Sequence, residues 1–199
     1  MTTMDTGEIV LAGVASLAVL VAMFGEQLWR HWRRPVLKVS YHFRKGSVEA
    51  NDVSIEAYFV RLYVYNDGKT SARNVQVVLL SVKSLDSHNS ADEQFIPMHL
   101  SWLYHECNPW LEHIPPEAGA YCNLAQILRP DEQTGPEIEF VTMKTPIGIP
   151  NKWPLGKYEV QVQVAGENVI ANPKPKQITC PEWNDDKAQM EGAVLGSTK

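Results

Sequence analysis

The stretch RLYVYNDGKTSARNVQVVLLSV, residues 61–82, decides the fold. It continues the run YFVRLYVY (58–65), rich in aromatic and β-branched residues, in which Val60, Leu62 and Val64 recur every second position. That period puts them on one face of a half-buried strand. Asn66-Asp67-Gly68-Lys69 follows as a turn, with Gly68 supplying the positive φ that other residues resist. NVQVVLLSV (74–82) is the next strand.

The pattern extends to both sides. In VLKVSYHFR (36–44), Leu37, Val39, Tyr41 and Phe43 share one face and Lys38, Ser40, His42 and Arg44 the other. Residues 45–56 are polar and contain Gly46, Asn51 and Asp52, which predicts a loop. Residues 83–93 predict another. Phe95-Ile96 and His99–Tyr104 read as short strands around Pro97, and 109–119, with Pro115-Pro116, as irregular. AYCNLAQIL (120–128) reads as a strand, with a helical turn as the alternative; 138–143 is a strand and 146–154 a loop. KYEVQVQVA (157–165) alternates cleanly, with Tyr158, Val160, Val162 and Val164 inward. Gly166-Glu167-Asn168 turns, and Lys176–Cys180 closes the sheet. From Asn184 the chain is polar and small, which predicts a mobile tail over 184–199. Seven to eight short strands, spaced by roughly ten residues, predict an all-β antiparallel β-sandwich over 33–183.

The chain has 199 residues, room for one or two domains, and its 44% hydrophobic and 21% charged composition excludes wholesale disorder. After a short flank (1–8), Ile9–Gly25 is a run of 17 residues without a charge, IVLAGVASLAVLVAMFG. As a helix it is ~26 Å long, near the short end for a bilayer span. Trp29 and Trp32 extend it into an interfacial zone, which gives a transmembrane helix over 9–32. A buried core helix is one alternative. A signal peptide is the other, but the flank MTTMDTGE lacks the basic residues it needs and no small-residue cleavage motif follows. Ala15, Ala18, Ala22 and Gly25 fall near one helical face and could admit a second helix closely.

Charge orients the span. From Gln27 to Val48 there is no acid and there are six bases: Arg30, Arg33, Arg34, Lys38, Arg44 and Lys45. The positive-inside rule then predicts the N-terminus outside and the large domain in the cytoplasm, with the basic flank touching anionic membrane lipid. The net charge of the chain is −5, while residues 46–199 hold 12 bases against 20 acids. So acidic a domain argues against a nucleic-acid partner.

Residues 61–82 resemble the strand–turn–strand of bacterial immunoglobulin-like domains of the adhesion-associated type, at Asn66, Gly68, Ala72, Asn74 and Val75. LGKYEVQVQV (155–164) resembles the Gly-x-Tyr strand that often closes such domains. The layout of anchor, domain and a late tryptophan, here Trp183, is similar to a class of uncharacterised bacterial membrane-anchored proteins, which would place the anchor in the inner membrane. The resemblance implies an immunoglobulin-like fold and no catalytic residues. Adhesion-type domains usually lie outside the cell, whereas the charge rule puts this one inside.

His99, His105, Glu106, Cys107, Glu112 and His113 form the richest polar cluster. His and Cys ligate zinc, but HEC is not HExxH and no CxxC supports it, so no metal residues are assigned. Cys107, Cys122 and Cys180 read as small packed residues. A Cys107–Cys122 bridge would require export, and a Cys–His catalytic pair has no spacing to test it. Trp102 and Trp110 are the candidates for a recognition surface, while Trp153 and Trp183 read as packing. Glu182, Asp185 and Asp186 read as solvated surface, and no Gly-rich phosphate loop is present. The expectation is a single-pass, membrane-anchored protein-binding or scaffold module, non-catalytic and without cofactor, engaging a protein partner or a second copy of itself. An anchored periplasmic or surface module for adhesion or envelope assembly is the alternative, and a metal-dependent enzyme the second.

Overall fold

The computed structural model describes residues 19, 25, 33–50, 53–86, 96–104, 108–130, 135–144 and 151–196. The chain divides into two compact units, Met1–Arg34 and Pro35–Lys199. In the first, Val19 and Gly25 are helical, and Arg33 and Arg34 are exposed. The rest of the expected span, including Ala15, Ala18, Ala22, Trp29, Arg30 and Trp32, lies outside the described residues. Among the described residues no helix is long and apolar enough to cross a membrane.

The second unit is mostly antiparallel β-sheet. Its described elements are β1 (Leu37–Ala50), β2 (Val53–Asn66), β3 (Ala72–Ser84), β4 (Met98–His99), β5 (Leu111–Ile114), β6 (Gly119–Leu128), β7 (Ile138–Phe140), β8 (Lys152–Trp153), β9 (Gly156–Gly166), β10 (Val169–Ala171), β11 (Lys176–Cys180) and α1 (Lys187–Leu195). Sheet I has the order β1-β2-β6-β7-β8. Sheet II has the order β10-β9-β3-β4, with β11 also on β9 and β5 also on β3. Several strands are only two to four residues long, which raises the number above the seven to eight expected.

The inward faces of both sheets meet in one hydrophobic cluster. Val60, Leu62 and Val64 of β2, Val75, Val77 and Leu79 of β3, and Val160, Val162 and Val164 of β9 are all essentially inaccessible. Burying each such side chain contributes roughly 1.5–3 kcal/mol, which is why an alternating strand needs a second sheet over its apolar face. Two bulges break the alternation. Register shifts at Leu124 of β6, so Leu124 and Ala125 are both buried, and at Leu80 of β3, after which the next buried residue is Val82. Residues 120–128 are strand throughout, not a helical turn.

The segment 109–119 is not irregular throughout, since Leu111–Ile114 form β5 on β3, and three larger expectations need correction. Residues 45–50 and 53–56 are strand, not loop. β1 and β2 pair without interruption from Leu37↔Asn66 to Ala50↔Val53. Beyond the core both faces of this ribbon meet water, so its composition imitates a loop while the backbone stays paired; Lys45 sits 3.6 Å from Glu56.

The turn after β2 closes no hairpin, because β2 and β3 belong to different sheets. It is held by the side chain of Asn66, which is fully buried. Its Oδ1 accepts from Val36 N (3.2 Å) and Gly68 N (3.0 Å), and its Nδ2 donates to Thr70 O (2.8 Å) and Ile114 O (2.9 Å). Left-handed backbone occurs at Asn74 (φ 47°) and Glu117 (φ 58°) rather than at Gly68.

The polar tail holds a helix. Asp186 caps α1 by accepting from Ala188 N (2.8 Å) and Gln189 N (3.3 Å), and Met190 and Val194, four residues apart, are buried. Tyr58 Oη of β2 donates to Asn184 O (2.9 Å) and Asp185 O (3.1 Å), and its ring lies 4.7 Å from that of Trp183. Two apolar residues and a cap are enough to dock a segment whose average composition reads as mobile.

Candidate functional site

β5 pairs with the start of β3 as Ala72↔Ile114, Arg73↔His113 and Val75↔Leu111, an unshifted register that sets Asn74, whose backbone is left-handed (φ 47°), opposite Glu112. Asn tolerates this left-handed backbone better than most residues. Asn74 Nδ2 donates to the Glu167 carboxylate in the β9–β10 turn. The same turn bonds back to β3. Glu167 N donates to Arg73 O (3.0 Å), Arg73 N donates to Asn168 Oδ1 (3.2 Å), and Asn168 Nδ2 donates to Ser71 O (3.0 Å). A Cβ on Gly166 would lie 2.7 Å from Arg73 O, so the close approach of these backbones requires glycine there.

Trp110 stands just before β5. Its backbone N donates to Asn108 Oδ1 (3.0 Å), its side chain is 44% exposed, and its ring lies 6.1 Å from that of His99. Gln76 is the next outward residue of β3, opposite Ala165, and its Oε1 is shielded from water with no hydrogen-bond partner. Asn74, Gln76, Asn108, Trp110, Glu112, Ala165, Gly166 and Glu167 together line an open cleft of about 650 Å³. Among the described residues the lining carries two carboxylates and no cationic side chain. An exposed indole beside carboxylates and amide groups is equipped to hold a cationic group: the ring face and the carboxylates both favour positive charge, and the amides supply hydrogen bonds.

Trp102 does not contribute to a surface. It is 1% exposed, its Nε1 donates to Pro109 O (3.1 Å), and it bridges to Cys122 of β6. The segment 98–102 starts on sheet II, where Leu79 pairs with Met98, and reaches sheet I through Leu100↔Thr142 and Trp102↔Cys122. That crossing turns the Trp102 ring into the core.

Cys122 and Cys180 are free thiols buried in the core. Burial pushes both thiols up, Cys180 to about 11, so neither presents a thiolate near neutral pH. Among the described residues His, Cys, Asp and Glu make no group of three that could hold a metal ion. His99, Glu112 and His113 of the sequence cluster are exposed, and His105, Glu106 and Cys107 lie outside the described residues.

Of the cleft residues, sequence reasoning singled out Trp110 as a binding residue. Glu112 was grouped with the histidines, Asn74 entered through the resemblance, and Glu167 entered as a turn residue. Nothing local joins Asn74 to Glu167, 93 positions later. Their contact depends on β9 lying beside β3. Comparison with protein-family models, curated proteins and solved structures finds no match to this chain.

Proposed function

We propose that this chain is a single-pass, membrane-anchored protein-binding module whose cytoplasmic domain is an immunoglobulin-like β-sandwich, and that the Trp110 cleft receives a Lys or Arg side chain of a protein partner. Strand order supports the fold. β1-β2-β6 corresponds to the A-B-E strands of such a sandwich, and β3-β9-β10/β11 to C-F-G. Near the start of β9, Tyr158 Oη donates to Pro154 O (2.6 Å), four residues upstream, in the manner of the tyrosine corner at the start of strand F. The position usually taken by strand D is filled by β7, which follows β6 in the chain instead of preceding it. The charge rule supports the orientation.

The observation that carries the binding role is the exposed Trp110 indole beside Glu112 and Glu167 in a cleft whose described lining holds no cation. A cation over an exposed indole gains about 0.5–1 kcal/mol, a scale suited to a reversible contact. The proposed role is non-catalytic: among the described residues the cleft carboxylates stand beside amides and an indole.

The full chain in detergent, titrated with an arginine-rich peptide while the Trp110 indole N–H is followed by nuclear magnetic resonance, tests the cleft. The expected result is a saturable shift that Glu167→Lys abolishes and a glutamate-rich peptide does not produce. No shift, or a shift unchanged in the Glu167→Lys protein, overturns it. Protease protection of a tag at Lys199 in spheroplasts tests orientation. Protection supports the cytoplasmic domain, and digestion transfers the reading to an envelope module.

A further inference from the structure

The outer face of β1, β2 and β6 differs in character from the rest of an acidic domain. Lys38 and Arg44 of β1 point to this face, with Arg61 of β2. Tyr65 lies directly across from Lys38, and Tyr63 directly across from Tyr121 of β6, their rings 4.8 Å apart. A Cβ on Gly119 would fall 2.5 Å from the Tyr63 ring, so that ring lies across the bare glycine backbone. The Arg61 guanidinium stands 5.1 Å above the Phe59 ring, and its Nε has no hydrogen-bond partner. Strand alternation sends Glu49 and Glu56 to the opposite face, and Lys45 with them, 5.7 Å above the Tyr58 ring. The described outward positions of these three strands therefore hold three permanent cations, three tyrosines and no carboxylate. Glu139 of β7, further along the sheet, is already bonded by Gln126 Nε2 (3.0 Å) and Asn151 Nδ2 (2.9 Å). Lys38 pairs with Asp67 at 2.6 Å, but both are well exposed, and such a pair gives way readily to another anion.

We infer that this face rests on the anionic lipid surface of the membrane, so that the domain lies on sheet I and presents sheet II, with the Trp110 cleft, away from the bilayer. The inference rests on the anchored reading of residues 9–32. Two arguments select lipid as the occupant. The first is charge complementarity: basic residues near an anionic leaflet are attracted to it, and tyrosine rings favour the headgroup level. The second is reach. Lys38 follows Arg34 by only four positions, no more than about 14 Å of extended chain. A chain leaving the bilayer there begins this face within reach of the headgroups. Single-stranded nucleic acid could also stack on tyrosines, but a long polyanion must extend beyond this patch of three cations onto a domain whose residues 35–199 hold 15 bases against 20 acids, whereas a flat leaflet need touch only the patch.

The test uses the full chain in nanodiscs that carry a gadolinium-chelating lipid, with either phosphatidylcholine alone or added phosphatidylglycerol. Amide signals of β1 and β2 are compared with those of β9. With phosphatidylglycerol, the amides of 38–44 and 59–65 lose more signal than those of 158–164. The contrast fades in phosphatidylcholine, in high salt and in the Arg44→Glu/Arg61→Glu protein. Equal loss on the two sheets, or greater loss on β9, overturns the inference while leaving the anchor intact. A chain that does not enter nanodiscs at all refutes the anchor and the inference together. If single-stranded RNA shifts the same amides while the lipid contrast is missing, the face belongs to nucleic acid and the inference fails. The comparison between lipid compositions needs no substitution, so a variant that fails to fold does not rescue the idea.

Discussion

On β2, Val60, Leu62 and Val64 point inward; on β9, Val160, Val162 and Val164 do the same, and all six are buried. The outward residues between them have little in common. β2 alternates its valines with Phe59, Arg61, Tyr63 and Tyr65, whereas β9 uses Glu159, Gln161, Gln163 and Ala165. Inward positions of both sheets solve one packing problem and converge on branched aliphatic side chains, five valines and Leu62. Outward positions are free of that constraint, so what they carry records what each sheet meets: water and the mouth of a cleft on sheet II, a cationic and aromatic surface on sheet I. Each sheet also buries one tyrosine whose hydroxyl donates to a carbonyl, Tyr58 to the segment before α1 and Tyr158 to Pro154.

The largest effect is expected where the sheets agree. Leu62→Asp and Val162→Asp each place a carboxylate in the core and should each cost about 4 kcal/mol or more, read as loss of a cooperative denaturant transition. If either protein melts like the parent, that strand's inward assignment is wrong. Asn66→Ala removes four side-chain hydrogen bonds and leaves Thr70 O and Ile114 O without that donor, at a cost of about 3 kcal/mol in chemical denaturation. A loss under about 1 kcal/mol would mean that water replaces the side chain.

Alkaline titration compares the buried tyrosines. Burial raises both, Tyr158 from 10.0 to about 12. The unfolded chain then loses its protons first, so the contribution of Tyr158, on the order of 2 kcal/mol, is complete below pH 10 and disappears as pH rises toward 12. Tyr158→Phe should flatten that part of the stability profile; an unchanged profile would assign it to other groups.

The smallest effects separate the outer faces. Gly119→Ala should push the Tyr63 ring off β6 and cost about 1 kcal/mol through its contact with Tyr121. Gln161→Asp on sheet II should stay within about 0.5 kcal/mol. Equal costs on the two faces would remove the distinction between them.

Much of the fold was legible because its signal is local. Period two in 36–44, 58–65 and 157–165 marks strands wherever one face is buried and the other wet. The reading failed where that contrast is lost. Residues 45–50 and 53–56 are paired but wet on both faces, so their composition reads as loop. Residues 184–196 bury only Met190 and Val194, too few to outweigh their polar neighbours in a composition average. Trp102 and Trp110 were indistinguishable as tryptophans near one cluster. Their fates diverge because the 98–102 segment crosses between sheets, which turns one ring into the core and leaves the other at the mouth of a cleft.

By itself the sequence determined the all-β character, the inward faces, the apolar run at 9–25 and the charge imbalance behind the topology argument. These follow from side-chain chemistry at fixed spacing and need no knowledge of what lies across from what. The tertiary structure decided the rest. It made the Asn66 turn a link between sheets, docked α1 against β11 and β1 with Tyr58 holding the segment before it, and set Asn74, Trp110 and Glu167 around one cleft. It also gathered Arg61 and three tyrosines beside Lys38 and Arg44. Each of these depends on which strands become neighbours, and that follows from burying two apolar faces together, a property of the whole chain that no short window contains.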